Sequence, residues 1–106
     1  MPKYLFQANL NSDGVAGIIQ EGGTARVGVV NSAIEALGGT VEAFYFAFGD
    51  ADSVLIADLP DNEAATAFAL DVAASGRVSV TTTVLVTPEE VDRAIAKRPG
   101  FRGPGA

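Results

Sequence analysis

The fold is decided by residues 40–60, which read TVEAFYFAFGDADSVLIADLP. Two stretches of this segment, Thr40 to Phe48 and Ser53 to Leu59, are rich in β-branched and aromatic residues and are typical of strands. Between them lies Gly49 to Asp52, whose glycine and aspartates favour a tight hairpin. Because Pro60 cannot continue a ladder of hydrogen bonds, the second strand ends before it. The centre of the chain therefore predicts two adjacent antiparallel strands.

Before the hairpin, the chain shows one strand followed by a broken helix. The alternation from Tyr4 to Leu10 predicts a strand. We expect Ser12 or Asp13 to cap a helix that ends at about Gln20. The segment Glu21 to Thr24 holds two adjacent glycines, which interrupt the helix. The threonine at its end is expected to cap a second helix, which closes at a second glycine pair.

After the hairpin, the pattern predicts helix, strand and helix. Asp61 is expected to cap a helix that ends near Gly76. The alternating stretch Arg77 to Val86 predicts the fourth strand. The sequence Thr87-Pro88-Glu89-Glu90 is a capping box with proline at the first helical position. A short final helix is therefore expected to run to about Lys97.

The order β-α-β-β-α-β predicts an α+β, ferredoxin-like split βαβ fold with a short C-terminal helix. Its four-stranded antiparallel sheet carries helices on one face only. We assign residues 1–97 to this domain and the proline- and glycine-rich residues 98–106 to a C-terminal tail. Simple alternation from 41 to 48 leaves apolar residues on both faces of the second strand. A second copy of the chain would cover the open face, so we expect a homodimer or a larger homo-oligomer.

The composition excludes several classes of protein. The 106 residues include no cysteine and no histidine, which removes disulfides, Cys/His zinc sites and Ser-His-Asp catalysis. We accordingly expect no metal and no cofactor. The net charge of −6 repels phosphate backbones, so we expect no nucleic-acid partner. No apolar stretch approaches the roughly 20 residues of a membrane span, and no signal-peptide core is visible, so we expect no membrane partner and a cytoplasmic location.

Several segments together resemble the GYD domain family. They are Met1-Pro2-Lys3-Tyr4, Phe44 to Gly49, Asp52 and Thr87 to Glu90, and the resemblance extends from Pro2 to about Arg98. The family's Gly-x-Tyr-Asp motif reads Gly49-Asp50-Ala51-Asp52 here, so no role of the motif's tyrosine hydroxyl applies. The family is similar to the dimeric α+β barrels, in which two ferredoxin-like sheets pair face to face. The resemblance thus implies architecture rather than chemistry.

A polar patch on two neighbouring strands is the first candidate ligand site. In the split βαβ order, the first and fourth strands are neighbours, which brings Gln7 and Asn9 beside Thr81 and Thr83. If this face is the open one, the four side chains line a space between paired sheets, and Tyr45 joins them if its strand face matches. Convergent amides and hydroxyls in an apolar frame are typical of a small-molecule site. Alternatively, the patch is a polar dimer seam.

Two other segments have a functional and a structural interpretation each. Thr24 and Arg26, at a glycine-rich helix start, are a candidate anion site; the alternative is a helix break with a solvated arginine. Asp50 and Asp52 are either a carboxylate pair that acts as acid or base or binds a hard cation, or side chains that bond the backbone of their own turn. The second interpretation is favoured for both segments.

The charges are unevenly distributed along the chain. Residues 27–76 contain eight acids and no base, whereas the last helix and tail hold four of the seven bases. This asymmetry would let the tail of one subunit lie on the acidic body of another, or these are ordinary solvated faces.

The leading functional hypothesis is a homo-oligomeric small-molecule-binding or sensory module. The alternatives are a cofactor-free enzyme of the dimeric α+β barrel type, either an isomerase or an oxygenase, and a structural assembly subunit. An enzyme without histidine would have to use Asp52 or Asp58 with Tyr45.

Overall fold

A computed structural model describes all residues from 1 to 106. The chain forms four strands and four helices in this order: β1 Lys3–Leu10, α1 Ser12–Glu21, α2 Gly23–Ala36, β2 Thr40–Phe46, β3 Ser53–Asp58, α3 Asn62–Ala74, β4 Val78–Leu85 and α4 Pro88–Ala96. None of these helices combines the length and the apolar character that crossing a membrane requires.

The strands form one antiparallel sheet in the order β2-β3-β1-β4. Helices α1, α2 and α3 cover one face of this sheet, which we call the helix face; the opposite side is the open face. Antiparallel partners such as Gln7 and Thr81 lie on the same face. The predicted α+β, ferredoxin-like architecture with an additional C-terminal helix is confirmed.

Strand β2 departs from simple alternation at a β-bulge between Val41 and Ala43. Val41 pairs with Ala57, and Phe44 pairs with Leu55, so both lie on the helix face although their numbers differ in parity. Val41 therefore lies on the face opposite to Ala43 and Tyr45, although simple alternation along the strand predicts that the three share a face. The inserted residue explains why the sequence shows apolar residues in both alternating sets.

The helix starts differ from the expected ones at two positions. Asn11, rather than Ser12 or Asp13, caps α1: its Oδ1 accepts from the amide of Gly14 at 2.9 Å. Helix α2 begins directly after Gly22, whose φ of 89° only glycine adopts without strain, and no side chain caps it. The expected caps of α3 and α4 are confirmed, including both bonds of the α4 capping box.

The tightly packed core occupies one end of the helix face. Its eight buried residues are Tyr4, Phe6, Ile34, Leu55, Ala57, Leu59, Ala65 and Phe68. The hydroxyl of Tyr4 donates to Oδ1 of Asn62 at 2.7 Å, which ties β1 to the start of α3. Phe6 meets Phe68 edge to face, with ring centroids 4.9 Å apart. These contacts anchor α2 and α3 to the first half of β1.

Gly39 lies where this core closes behind α2. A Cβ at this position would lie 2.2 Å from the carbonyl oxygen of Asp58 and 2.7 Å from a methyl group of Leu59. Because backbone must move to relieve the clash, Gly39→Ala should lower the free energy of unfolding by about 1–3 kcal/mol. Gly28→Ala is the matched control: nothing lies within 4 Å, and removing a mid-helix glycine should stabilise by about 0.5–1 kcal/mol. Urea unfolding of both variants tests this pair; equal effects would contradict it.

Candidate functional site

A cavity of about 600 Å³ lies between the helix face of the sheet and the three helices that cover it. Its floor is the second half of β1 with the adjoining parts of β2, β3 and β4. Its walls come from α1, α2 and α3. Most of the lining is hydrophobic, and four phenylalanines contribute: Phe6, Phe44, Phe46 and Phe68. Phe6 and Phe68 also belong to the core, so the core ends where the cavity begins.

Small side chains open this end of the molecule. On the sheet, Ala8 and Ser53 are direct antiparallel partners on the cavity floor. Above them, Gly14 and Gly17 of α1 line the wall. At the core end, β1 and β3 hold the large side chains of Phe6 and Leu55. Two residues further toward the cavity, the same strands hold Ala8 and Ser53, which are too small to reach the helices. The cavity is therefore a consequence of the small volume of the side chains at this end.

Arg77 stands at the cavity because the start of α1 is tied to the turn after α3. The amide of Asn11 donates to the carbonyl of Arg77 at 3.0 Å, and its side-chain Nδ2 donates to the carbonyl of Gly76 at 2.7 Å. The Arg77 guanidinium has only a long bond, 3.5 Å from Nη1 to the carbonyl of Asp13. It takes part in none of the three ion pairs of the structure.

The break between α1 and α2 places a second guanidinium at the cavity. Arg26 donates from Nε and Nη2 to Oε1 of Glu21, both at 2.7 Å. Glu21 is the one carboxylate in the lining, so the two arginines leave the cavity with a net positive charge. The predicted anion site paired Arg26 with Thr24; Thr24 is exposed and does not line the cavity, and Arg26 already has a carboxylate partner.

All five residues of the predicted polar patch lie on the open face. Gln7 is the register partner of Thr81, and Val54 links Gln7 to Tyr45, so one row crosses all four strands. Thr83 lies in the next row, opposite Leu5. Asn9 pairs with Ser79 near the end of β1. The alternation left the face of Tyr45 undecided, and the register assigns it to this patch.

An ion-pair cluster sits at the far end of the open face. Lys3 Nζ lies 2.9 Å from Oδ1 of Asp58 and 3.3 Å from Oε1 of Glu42. The hydrogen bond to Asp58 is the main reason that the pKa of Lys3 is raised. In α4, the amide of Thr87 donates to the carboxylate of Glu90, which lowers the pKa of Glu90. Neither group lies at the cavity.

The acids considered for catalysis are not brought together. Asp58 is engaged by Lys3, and Tyr45 is 71% exposed on the open face. Asp52 lies at the hairpin, where its Oδ2 accepts from the amide of Leu10 at 2.8 Å. No cluster of three or more acidic side chains forms a metal site. These side chains therefore do not form a paired acid and base.

The comparison with protein families agrees with this architecture. The model of the GYD domain matches residues 4–95, which is most of the chain. The chain belongs to the GYD domain family. No curated protein matches it.

The aspartate of the GYD motif has a structural role in this chain. Besides accepting from Leu10, Asp52 donates its own amide to the carbonyl of Ala8 at 2.8 Å and accepts from Ala47 through its carbonyl at 2.9 Å. The motif's tyrosine position is occupied by Ala51, and Asp50 is exposed. The motif thus fastens the β2–β3 hairpin to the end of β1.

The cavity of this GYD domain was not expected from the sequence. Its signal was present in Ala8, which follows Tyr4 and Phe6 on the same face, and in the glycines of α1. Small residues on a core face are also compatible with close packing of a helix, so the sequence does not distinguish a cavity from a tight contact.

Asp52→Ala should destabilise this GYD domain by about 1–3 kcal/mol, because the partly buried amide of Leu10 loses its acceptor. The matched control is Asp50→Ala, two residues earlier and exposed, which should change stability by less than about 0.5 kcal/mol. Chemical denaturation of both variants measures the difference. A neutral Asp52→Ala variant would contradict the structural role.

Proposed function

We propose that this GYD domain is a homo-oligomeric small-molecule-binding module whose ligand occupies the cavity under the helices. The carrying observation is the cavity itself, whose volume of about 600 Å³ is in the range of ligand pockets. Its lining combines many apolar side chains with a few polar ones, as such pockets do. The sequence favours a binding module with its site between paired sheets; the cavity is the better supported location.

The charges at the cavity favour a ligand with an acidic group. Arg77 has no carboxylate partner, and a guanidinium binds a carboxylate through two parallel hydrogen bonds. Phenylalanine rings supply the apolar surface for the rest of the molecule. We therefore propose an apolar acid, aromatic or with a medium-length chain, bound with its carboxylate at Arg77.

Decanoate should bind about tenfold or more tightly than decanol, because only the acid forms charge-assisted bonds with Arg77. Competition against the fluorescent probe 1-anilinonaphthalene-8-sulfonate measures both affinities. In Arg77→Gln the preference for decanoate should disappear. Arg93→Gln, which removes the same charge from α4, is the control and should leave the preference unchanged.

A second variant tests the location of the ligand. Ala8→Phe places a ring on the cavity floor and should abolish binding of both decanoate and decanol while the protein remains folded. Unchanged binding in a folded Ala8→Phe protein, or an unchanged preference in Arg77→Gln, would overturn the cavity site.

The proposal of a homo-oligomer is based on the open face of the sheet. An antiparallel sheet with helices on one face needs water or another layer on the other. Here the row Ala43, Ile56, Leu5 and Thr83 is mostly apolar, and the neighbouring row ends at Tyr45, which is 71% exposed. A second copy with its own open face would bury these rows, as the likeness of the family to dimeric α+β barrels implies.

Tyr45→Lys should convert the oligomer to a monomer at micromolar concentration, because it places an unpaired charge on the edge strand β2 of each paired open face. Ile19→Lys, at an 80% exposed position on α1, is the control and should leave the mass unchanged. Light scattering coupled to size-exclusion chromatography gives both masses. A monomeric wild-type protein would refute the pairing.

The polar row of the open face is a second candidate site. The register places Gln7 directly opposite Thr81 in a row that ends at Tyr45, and these groups would face a partner sheet. Thr81→Val should weaken ligand binding without changing the mass if this row binds the ligand. Loss of assembly in Thr81→Val would instead favour a polar dimer seam.

A further inference from the structure

The C-terminal helix α4 packs little against the rest of its own chain. All of its residues are exposed, and it makes no extensive contact with any other helix or strand. The molecule is 56 Å long and has a radius of gyration of 16.8 Å, whereas a compact domain of this length has about 13 Å. An isolated helix shorter than about 12–15 residues is marginal in water, and α4 has nine. A stable α4 therefore needs a surface to pack on.

Three exposed apolar side chains lie along this segment. Val91 and Ile95 are four residues apart, so they share a face of α4, and they are 44% and 52% exposed. Phe101 in the tail is 85% exposed. We call these three residues the apolar stripe. Burying the apolar stripe against a partner would supply the stabilisation that the helix lacks.

Beyond Glu89, Glu90 and Asp92 in the first half of α4, the charges of α4 and the tail are all positive, and they point to a second copy of this chain as the partner. Residues 93–106 carry four bases and no acid, and none of these bases forms an ion pair: Arg93, Lys97, Arg98 and Arg102. Residues 27–76 carry eight acids and no base, and only Glu42 and Asp58 among them form ion pairs. The chain thus contains a basic segment without ion-pair partners and, on α3, the acids Glu63 and Asp71 that also have none, so the two complement each other.

The outer surface of α3 combines the required features. Leu70 is 64% exposed, Asp71 follows it, and Glu63 lies seven residues earlier on the same helix face. We infer that α4 and the tail of one subunit dock on the outer surface of α3 of a second copy, with the apolar stripe over Leu70 and the basic residues beside Glu63 and Asp71. Reciprocal exchange of the two segments closes a twofold dimer. This contact is separate from the open face and from the cavity.

Cysteine cross-linking tests the contact directly, because the chain has no cysteine of its own. Ile95→Cys protein is mixed with tagged Leu70→Cys protein under mild oxidation, and the covalent heterodimer is measured on a non-reducing gel. Ile19→Cys, at another exposed apolar position, replaces Leu70→Cys as the control. The Leu70 pair should cross-link at least about fivefold faster than the Ile19 pair. Equal rates would overturn the inference.

A charge-reversed acceptor isolates the electrostatic part. Glu63→Lys and Asp71→Lys, added to the Leu70→Cys chain, should lower its rate to that of the control; an unchanged rate would contradict the proposed charge pairing. A chain with both Leu70→Cys and Ile95→Cys that closes on itself at high dilution would show docking on its own α3 and overturn exchange. A fluorophore on Ile95→Cys that responds to phosphatidylserine vesicles, with cross-linking at control level, would identify a membrane surface as the partner instead.

Discussion

The edge-to-face contact between Phe6 and Phe68 divides the molecule into a closed end and an open one. On one side of this pair, the hydroxyl of Tyr4 reaches Asn62, and the buried residues of α2 and α3 fill the space above the sheet. On the other side, the small side chains of Ala8 and Ser53 do not fill the space between the sheet and the helices, and the cavity begins. The same two rings therefore end the core and begin the site. Any ligand in the cavity extends the hydrophobic core and adds to stability by binding the folded state.

The basic residues of the chain fall into groups with different surroundings. Arg77 and Arg26 are the basic residues that line the cavity, and Lys3 is paired with acids in the ion-pair cluster on the open face. The remaining bases all lie in α4 and the tail. With a net charge of −6 and with its unpaired bases, Arg77 apart, confined to α4 and the tail, the chain fits the proposed association with a second copy of itself.

Much of the architecture could be predicted from local patterns. The hairpin after Phe46, the cap at Asp61 and the capping box at Thr87 depend on residues close together in sequence, and each was expected. The bulge at Val41 was missed, because an extra residue in a strand leaves no mark in the alternation except a change of phase. The cap at Asn11 was missed because the side-chain amide of Asn11 also donates to the carbonyl of Gly76, a residue 65 positions away in the sequence.

The candidate site, like the fold, could be predicted from the sequence only in part. The sequence by itself determined the order of elements, the absence of histidine and cysteine chemistry, and the residue types available on each strand, because these follow from composition and periodicity. Only the tertiary structure decided that Tyr45 shares a face with Gln7 and that Arg77 stands over a cavity. The first depends on strand register and the second on the volume left between a sheet and its helices, and neither quantity is local. A cavity is the space that side chains fail to fill, so it exists only once all its walls are in place.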